Sequence, residues 1–253
     1  MNAPCPLHAR VAIFGATSDI ATAVARRYAE VGARLVLIGR NVEALNASAA
    51  DLKVRGAADV RVHTADFAAL DQLPMMAKAV WRIYDTLDIA LLAYGSLPDQ
   101  AAMQSSASDS AAALTLNFTS PAVLLGELAP LFEAQRCGTI ATITSVAGDR
   151  GRKSNYVYGA AKGGLQRFLE GLRHRLHAAG VAVLDIRPGF VATKMTAHLP
   201  QSGPLWAPPD KVAADIVKAI ERRRAVLYTP WFWAIILAIV RAVPRPLFHR
   251  SSL

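Results

Sequence analysis

Short, largely apolar runs alternate with helix-patterned stretches along almost all of this chain, and few folds accept that alternation. The runs fall at 11–14, 35–38, 60–63, 89–93, 139–144, 182–186 and 226–228. Between them, the apolar spacing predicts helices over 20–31, 42–55, 70–84, 111–134, 156–179 and 210–223. A strand that is apolar at every position is buried on both faces, so helices must cover each side of a parallel sheet. The expected fold is α/β: a single doubly wound Rossmann-type domain with a mostly parallel sheet of about seven strands and helices on both faces. Its ligands belong at the carboxyl ends of the strands. The domain is expected over 1–230. An apolar and basic extension over 231–253 packs on it or at a membrane surface.

Composition agrees with two buried sheet faces, since 53% of residues are hydrophobic and 19% charged. Such a chain is not disordered. The net charge of +9 is unevenly placed: Arg222, Arg223, Arg224, Arg241, Arg245 and Arg250 close the chain with no acid among them. No nucleic-acid motif accompanies these cations, so nucleic acid is not expected as a partner. Within the same segment, residues 231–240 are uncharged and mostly large and apolar. That run is too short to span a bilayer, which takes about 20 residues. Pro230 is placed to begin a helix. Trp231, Trp233 and the flanking arginines suit a helix lying at a membrane interface, with peripheral contact through 231–250. They suit equally a helix buried on the sheet or in a contact between subunits, and a homo-oligomer is expected. Cys5 and Cys137 are isolated, which argues against a disulfide framework or a metal site. The first nine residues lack the order of a signal peptide. A cytoplasmic protein follows, peripheral at most to the inner face of the membrane.

The chemistry is concentrated in Tyr158 and Lys162, thirteen residues and more after Ser145. Residues four apart on a helix share a face, so phenol and ammonium can enter one site. A neighbouring cation favours the phenolate, and a drop of about three units from the ordinary value near 10 would take about 4 kcal/mol. The tyrosine then becomes a proton donor or acceptor usable near neutral pH. Ser145, arriving from a strand end, can hydrogen-bond the same oxygen.

A cofactor loop follows the first strand, in Gly15-Ala16-Thr17-Ser18-Asp19-Ile20-Ala21. A glycine at that turn and a helix N-terminus after it suit a diphosphate. The second strand ends in Gly39-Arg40-Asn41, with no acid to hold a ribose 2′-hydroxyl. Arg40 could instead grip a 2′-phosphate, which favours NADP, with NAD as the alternative. Asp66, with Phe67 beside it, can accept from an adenine amino group. Ala93-Tyr94-Gly95 offers a further close backbone approach.

Taken together these residues resemble the short-chain dehydrogenase/reductase family over nearly the whole chain. The pieces stand in the family's order: the Gly15 loop, Asp66, Ala93-Tyr94-Gly95 in place of Asn-Ala-Gly, Asn117, Ser145, Tyr158, Lys162, then Pro188-Gly189 with Val191 and Thr193. The resemblance implies an NAD(P)-dependent oxidoreductase acting on CH–OH donors or the matching carbonyls. It makes Tyr158 the proton-transfer residue, Ser145 its partner on the substrate oxygen, and Lys162 the ribose and pKa residue. Asn117 would support a water relay, and Val191 and Thr193 would meet the carboxamide. The loop departs from the usual Gly-x-x-x-Gly-x-Gly by carrying Asp19 and Ala21. A carboxylate there is unfavourable beside a diphosphate unless it points away or caps an amide. Gly-Ala-Thr-Ser-Asp-Ile, the stretch from Ser145 to Tyr158 and Arg187-Pro-Gly-Phe-Val are similar to the decaprenylphosphoryl-2-keto-ribose reductase branch, implying a polyprenyl-phosphate 2-keto-pentose as substrate.

The residues bear on that substrate independently. Arg150, Arg152 and Lys153 lie between Ser145 and Tyr158 and could bind an anionic group, or could be a solvated loop balancing Asp149. His198 and Trp206 fall in a Pro/Gly-rich loop over 188–209 that could cover the substrate. The alternatives are an unrelated small ketone or secondary alcohol, and a nicotinamide-binding protein without turnover.

Overall fold

The computed structural model describes residues 8–250, so Cys5 lies outside the described residues. Seven strands form the main sheet: β1 (Arg10–Phe14), β2 (Arg34–Gly39), β3 (Asp59–Thr64), β4 (Ile89–Leu92), β5 (Thr139–Ile143), β6 (Ala182–Pro188) and, after a two-residue pair, β9 (Val226–Thr229). All run parallel, in the order β3-β2-β1-β4-β5-β6-β9. The intervening pair is β7 (Phe190–Val191) with β8 (Trp206–Ala207), inside the loop expected over 188–209.

Alternation along β1 explains the two layers. Val11 and Ile13 face one core, which they share with Val24 of α1 (Asp19–Glu30), Leu45 of α2 (Val42–Val54) and Ile216 of α8 (Pro209–Glu221). Ala12 and Phe14 face the other. There Val80 of α3 (Leu73–Arg82), Leu125 of α6 (Ser120–Gln135) and Leu169 of α7 (Tyr156–His177) meet them. Both faces are buried along the largely apolar central strands, while the edge strand β3, with Arg61 and His63, is only partly covered.

Two helical details were not expected from periodicity. Residues 100–105 form a short helix, α4 (Gln100–Ser105), and α5 (Ala107–Leu114) runs into a π-helical turn, Thr115–Thr119, before α6. The continuous run 107–135 has the length and apolarity to cross a membrane. Leu124, Leu125, Leu128 and Phe132 on it are nonetheless fully buried in the second core, so its composition is that of a core helix. After β9 the chain forms α9 (Phe232–Ala242) and α10 (Arg245–His249), with Trp231 at the start of α9. Trp233 and Leu237 bury one side of α9 with Val146 and Phe190, while Trp231, Ile235 and Ile239 stay exposed.

The strand order reverses between β1 and β4, and the crevice there opens at the carboxyl ends, where such sheets bind ligands.

Candidate active site

Tyr158 and Lys162 project from the first turns of α7, and Ser145 follows the end of β5. All three line one cavity of about 330 Å³ with Asn117. Asn117 sits in the π-helical turn and is buried. Its Nδ2 donates to the Ala113 carbonyl (3.0 Å), and its Oδ1 accepts from Ser96 N (3.1 Å). A one-residue π insertion re-aims a side chain, and such insertions favour functional positions. Lys162 Nζ donates to the Ile143 carbonyl at 3.2 Å and lies 5.8 Å from the centre of the Tyr158 ring.

The electrostatics depart from the sequence expectation. Burial raises the Tyr158 phenol to about 12, and the hydrogen bond with Ser145 only partly offsets it. Burial likewise lowers the Lys162 ammonium to about 8, with Asp185 opposing the fall. Proximity of a cation was expected to lower the tyrosine. Desolvation of both groups outweighs that attraction here, so at neutral pH the pair is a protonated phenol beside an ammonium.

The side expected to hold the nucleotide is assembled from loops at the ends of β1 and β4. Gly15 turns with φ +87°, and a Cβ there would lie 2.7 Å from Tyr94 N, so only glycine closes this turn. Thr17, Ser18, Asp19, Ile20, Ala93, Tyr94 and Gly95 line the cavity. Ser18 caps α1 by accepting from Ala21 N. The Asp19 carboxylate reaches across to the segment after Gly189, accepting from the Lys194 backbone N at 2.7 Å, with Lys194 Nζ at 3.8 Å. Of the two arrangements the sequence allowed for Asp19, pointing away or capping an amide, this is the amide cap. Tyr94 stacks on Phe67 at 4.0 Å and bonds Ser120 through its hydroxyl. Phe67 is buried beneath it, and Asp66 is exposed and accepts from Ala68 N. Gly15, Arg40, Asp66 and Phe67 do not line the cavity; Arg40 is exposed at the end of β2.

The opposite side is largely apolar, with Phe190 as its aromatic residue. Pro188, Gly189, Val191 and Thr193 line the cavity, with Phe190, Met195 and Leu199. Phe190 stacks on Trp206 and meets Trp233 edge-on, each at 5.2 Å. A Cβ on Gly189 would fall 1.9 Å from Trp233 Nε1, so the indole occupies that volume. The three expected substrate cations separate. Arg152 lines the cavity, and burial lowers its pKa. Arg150 turns away to donate to the Val240 and Val243 carbonyls at the end of α9, with its guanidinium over Phe248. Lys153 is exposed outside the cavity, and His198 is exposed on the covering loop.

Sequence reasoning missed Asn155, whose Oδ1 is buried without a hydrogen-bond partner while the residue lines the cavity. It also missed Phe190. Their only sequence signal is adjacency to Tyr158 and Gly189.

The family model for short chain dehydrogenases matches residues 9–203. The chain belongs to that family. An oxidoreductase of Mycobacterium tuberculosis is 37% identical over 245 residues, 96% of each chain, and one of Streptomyces coelicolor is 36% identical over 242 residues, 94% of each. A solved short-chain dehydrogenase from Sphingobium yanoikuyae, in complex with NADPH, superposes with a TM-score of 0.81 at 25% identity over 96% of each chain. This short-chain dehydrogenase is an NAD(P)-dependent oxidoreductase. Its loop amides at the start of α1, the Asn117–Lys162 corner and the Pro188–Thr193 stretch fit a nicotinamide dinucleotide along one crevice.

Proposed function

We propose that this protein is an NADPH-dependent carbonyl reductase whose substrate is an anionic, lipid-carried keto-sugar, a polyprenyl-phosphate 2-keto-pentose. One observation carries the substrate assignment. Of the cations between Ser145 and Tyr158, Arg152 alone lines the reaction cavity, beside the unpartnered Asn155 Oδ1. A guanidinium suits a phosphate, and a buried acceptor suits a sugar hydroxyl. The apolar side formed by Phe190, Met195 and Leu199, with Trp206 and Trp233 packed behind Phe190, suits an apolar chain. The exposed face of α9, with Trp231, Ile235 and Ile239 near Arg241 and Arg245, supports docking on the inner face of an anionic membrane, where such a substrate resides. Arg40 at the end of β2 supports NADPH, as does the NADPH in the Sphingobium yanoikuyae structure.

A reduced nicotinamide, when bound, supplies the hydride for the carbonyl carbon. Tyr158 donates its proton to the carbonyl oxygen, and its high pKa keeps that proton available at neutral pH. Ser145 hydrogen-bonds the same oxygen and orients it. Lys162 places a positive charge beside the phenol as it gives up its proton, and Asn117 supports proton resupply. Val191 and Thr193 orient the carboxamide. The test is a reductase assay on lipid-linked keto-pentoses and on small soluble ketones, with NADPH and NADH in parallel. Turnover of the lipid-linked substrate with NADPH, lost in Arg152→Ala, is expected. Turnover of small ketones alone would overturn the substrate assignment.

A further inference from the structure

Behind the catalytic residues lies a set of buried charges that the reaction as described does not use. The Asp149 side chain is 0% exposed, that of Asp185 1%, and that of Arg187 16%. Arg187 bridges the two acids, with Nε on Asp185 Oδ2 at 2.7 Å and Nη1 on Asp149 Oδ1 at 3.2 Å. Tyr228 of β9 accepts from Arg187 at 2.8 Å and donates to Asp149 at 2.6 Å. Two short routes lead from here to the site. Gln166 Nε2 donates to Asp149 and also to the Ser145 carbonyl at 2.8 Å. Thr144 Oγ1 donates to Asp185 at 2.6 Å, next to Ile143, whose carbonyl accepts from Lys162.

Burying ions is costly, and apolar packing serves stability as well, so this cluster calls for another reason. Two carboxylates and one guanidinium leave one negative charge over, and Lys162, bound to the carbonyl of Ile143 next to Thr144, is the buried cation whose charged form Asp185 favours. Arg173 also faces Asp185, but it is half-exposed and is bound to the Val183 and Ala225 carbonyls. The remaining groups around Lys162 are Tyr158 on its own helix, Asn117 and the Gly95 backbone, none of them anionic at neutral pH.

We propose that Asp185, held by Thr144 and Arg187, is the positioning counter-charge that keeps Lys162 protonated in its buried site. Asp185 touches neither substrate nor cofactor and acts through Lys162. The inference rests on the reductase chemistry and not on the identity of the substrate.

The test measures the alkaline limb of the activity–pH profile, together with the pH dependence of Lys162 acylation read by peptide mass spectrometry without substrate. In Asp185→Asn both midpoints should fall, with the rate lost at least tenfold more at pH 8.5 than at pH 6. Thr144→Val, which keeps every charge, should move them in the same direction by less. Equal loss at every pH, with Lys162 labelling unchanged, would overturn the proposal. If Asp185→Asn fails to fold, Thr144→Val decides by the same two readouts. Labelling separates this outcome from failure of the substrate assignment, which leaves it untouched.

Discussion

The two sides of the cavity are made differently. On the nucleotide side, backbones approach so closely that side chains are excluded: the Gly15 turn lies against Tyr94, and Gly95 leaves its space to Asn117 Oδ1. On the other side, Phe190 lines the cavity and is held from behind by Trp206 and Trp233, rings contributed by three separate stretches of chain. The first arrangement tolerates almost no substitution and suits a cofactor of fixed shape. The second can be rebuilt by changing side chains without disturbing the sheet, as substrate specificity requires. The same family fold can therefore keep its chemistry while its substrates change.

Tyr158 belongs to both sides, and its loss should have the largest effect. Tyr158→Phe is expected to lower turnover by about 10²–10⁴-fold, in the range of a lost general acid, with cofactor affinity held within about twofold. Near-normal turnover would show that the two sides do not converge on this phenol. A reciprocal pair comes next. Gly15→Ala should weaken cofactor binding and cost about 1–3 kcal/mol in chemical denaturation, from backbone strain and crowding. Phe190→Ala should instead raise substrate KM about tenfold and spare cofactor affinity, as expected from losing about 1.4 kcal/mol of aromatic contact. If both variants failed in the same parameter, the division of labour would be wrong.

A pH series sharpens the comparison. Lys162 has its pKa lowered to about 8, so its charge is present below that pH and lost above it, while Tyr158 at about 12 stays protonated throughout. Reduction should therefore decline above about pH 8. A rate that is flat to pH 10 would remove Lys162 from the step. The smallest effect expected is at Asp19, which joins the two sides. Asp19→Asn keeps an acceptor for Lys194 N but removes a negative charge from beside the diphosphate. Cofactor Kd should tighten by only a few-fold at low salt and converge with wild type as salt screens the charge, checked by fluorescence titration.

Much of the fold could be read directly from the chain because short, largely apolar strands need no partner information to be recognised. All seven strands of the main sheet stand where the apolar runs placed them. The helix 100–105, the π-helical turn and the β7–β8 pair carry no period of their own; tertiary contact shapes them. The same divide runs through the site. The spacing of Tyr158 and Lys162 on one helix is local, so the pair was visible. The direction of Arg150 depends on carbonyls 90 and 93 residues further on, which a loop sequence does not encode. The link from Arg187 to Asp149 spans 38 residues and was equally hidden. The phenol's high pKa escaped because charge spacing is legible in a sequence and dryness is not.

Gly189 and Trp233 share a single seat. The indole already fills the place where a side chain at 189 would sit, so the two positions cannot be chosen independently. Any chain that widens position 189 must shrink position 233 or lift the whole of α9 from the body of the protein. The seat of the C-terminal helix is in this sense recorded at a glycine more than forty residues earlier.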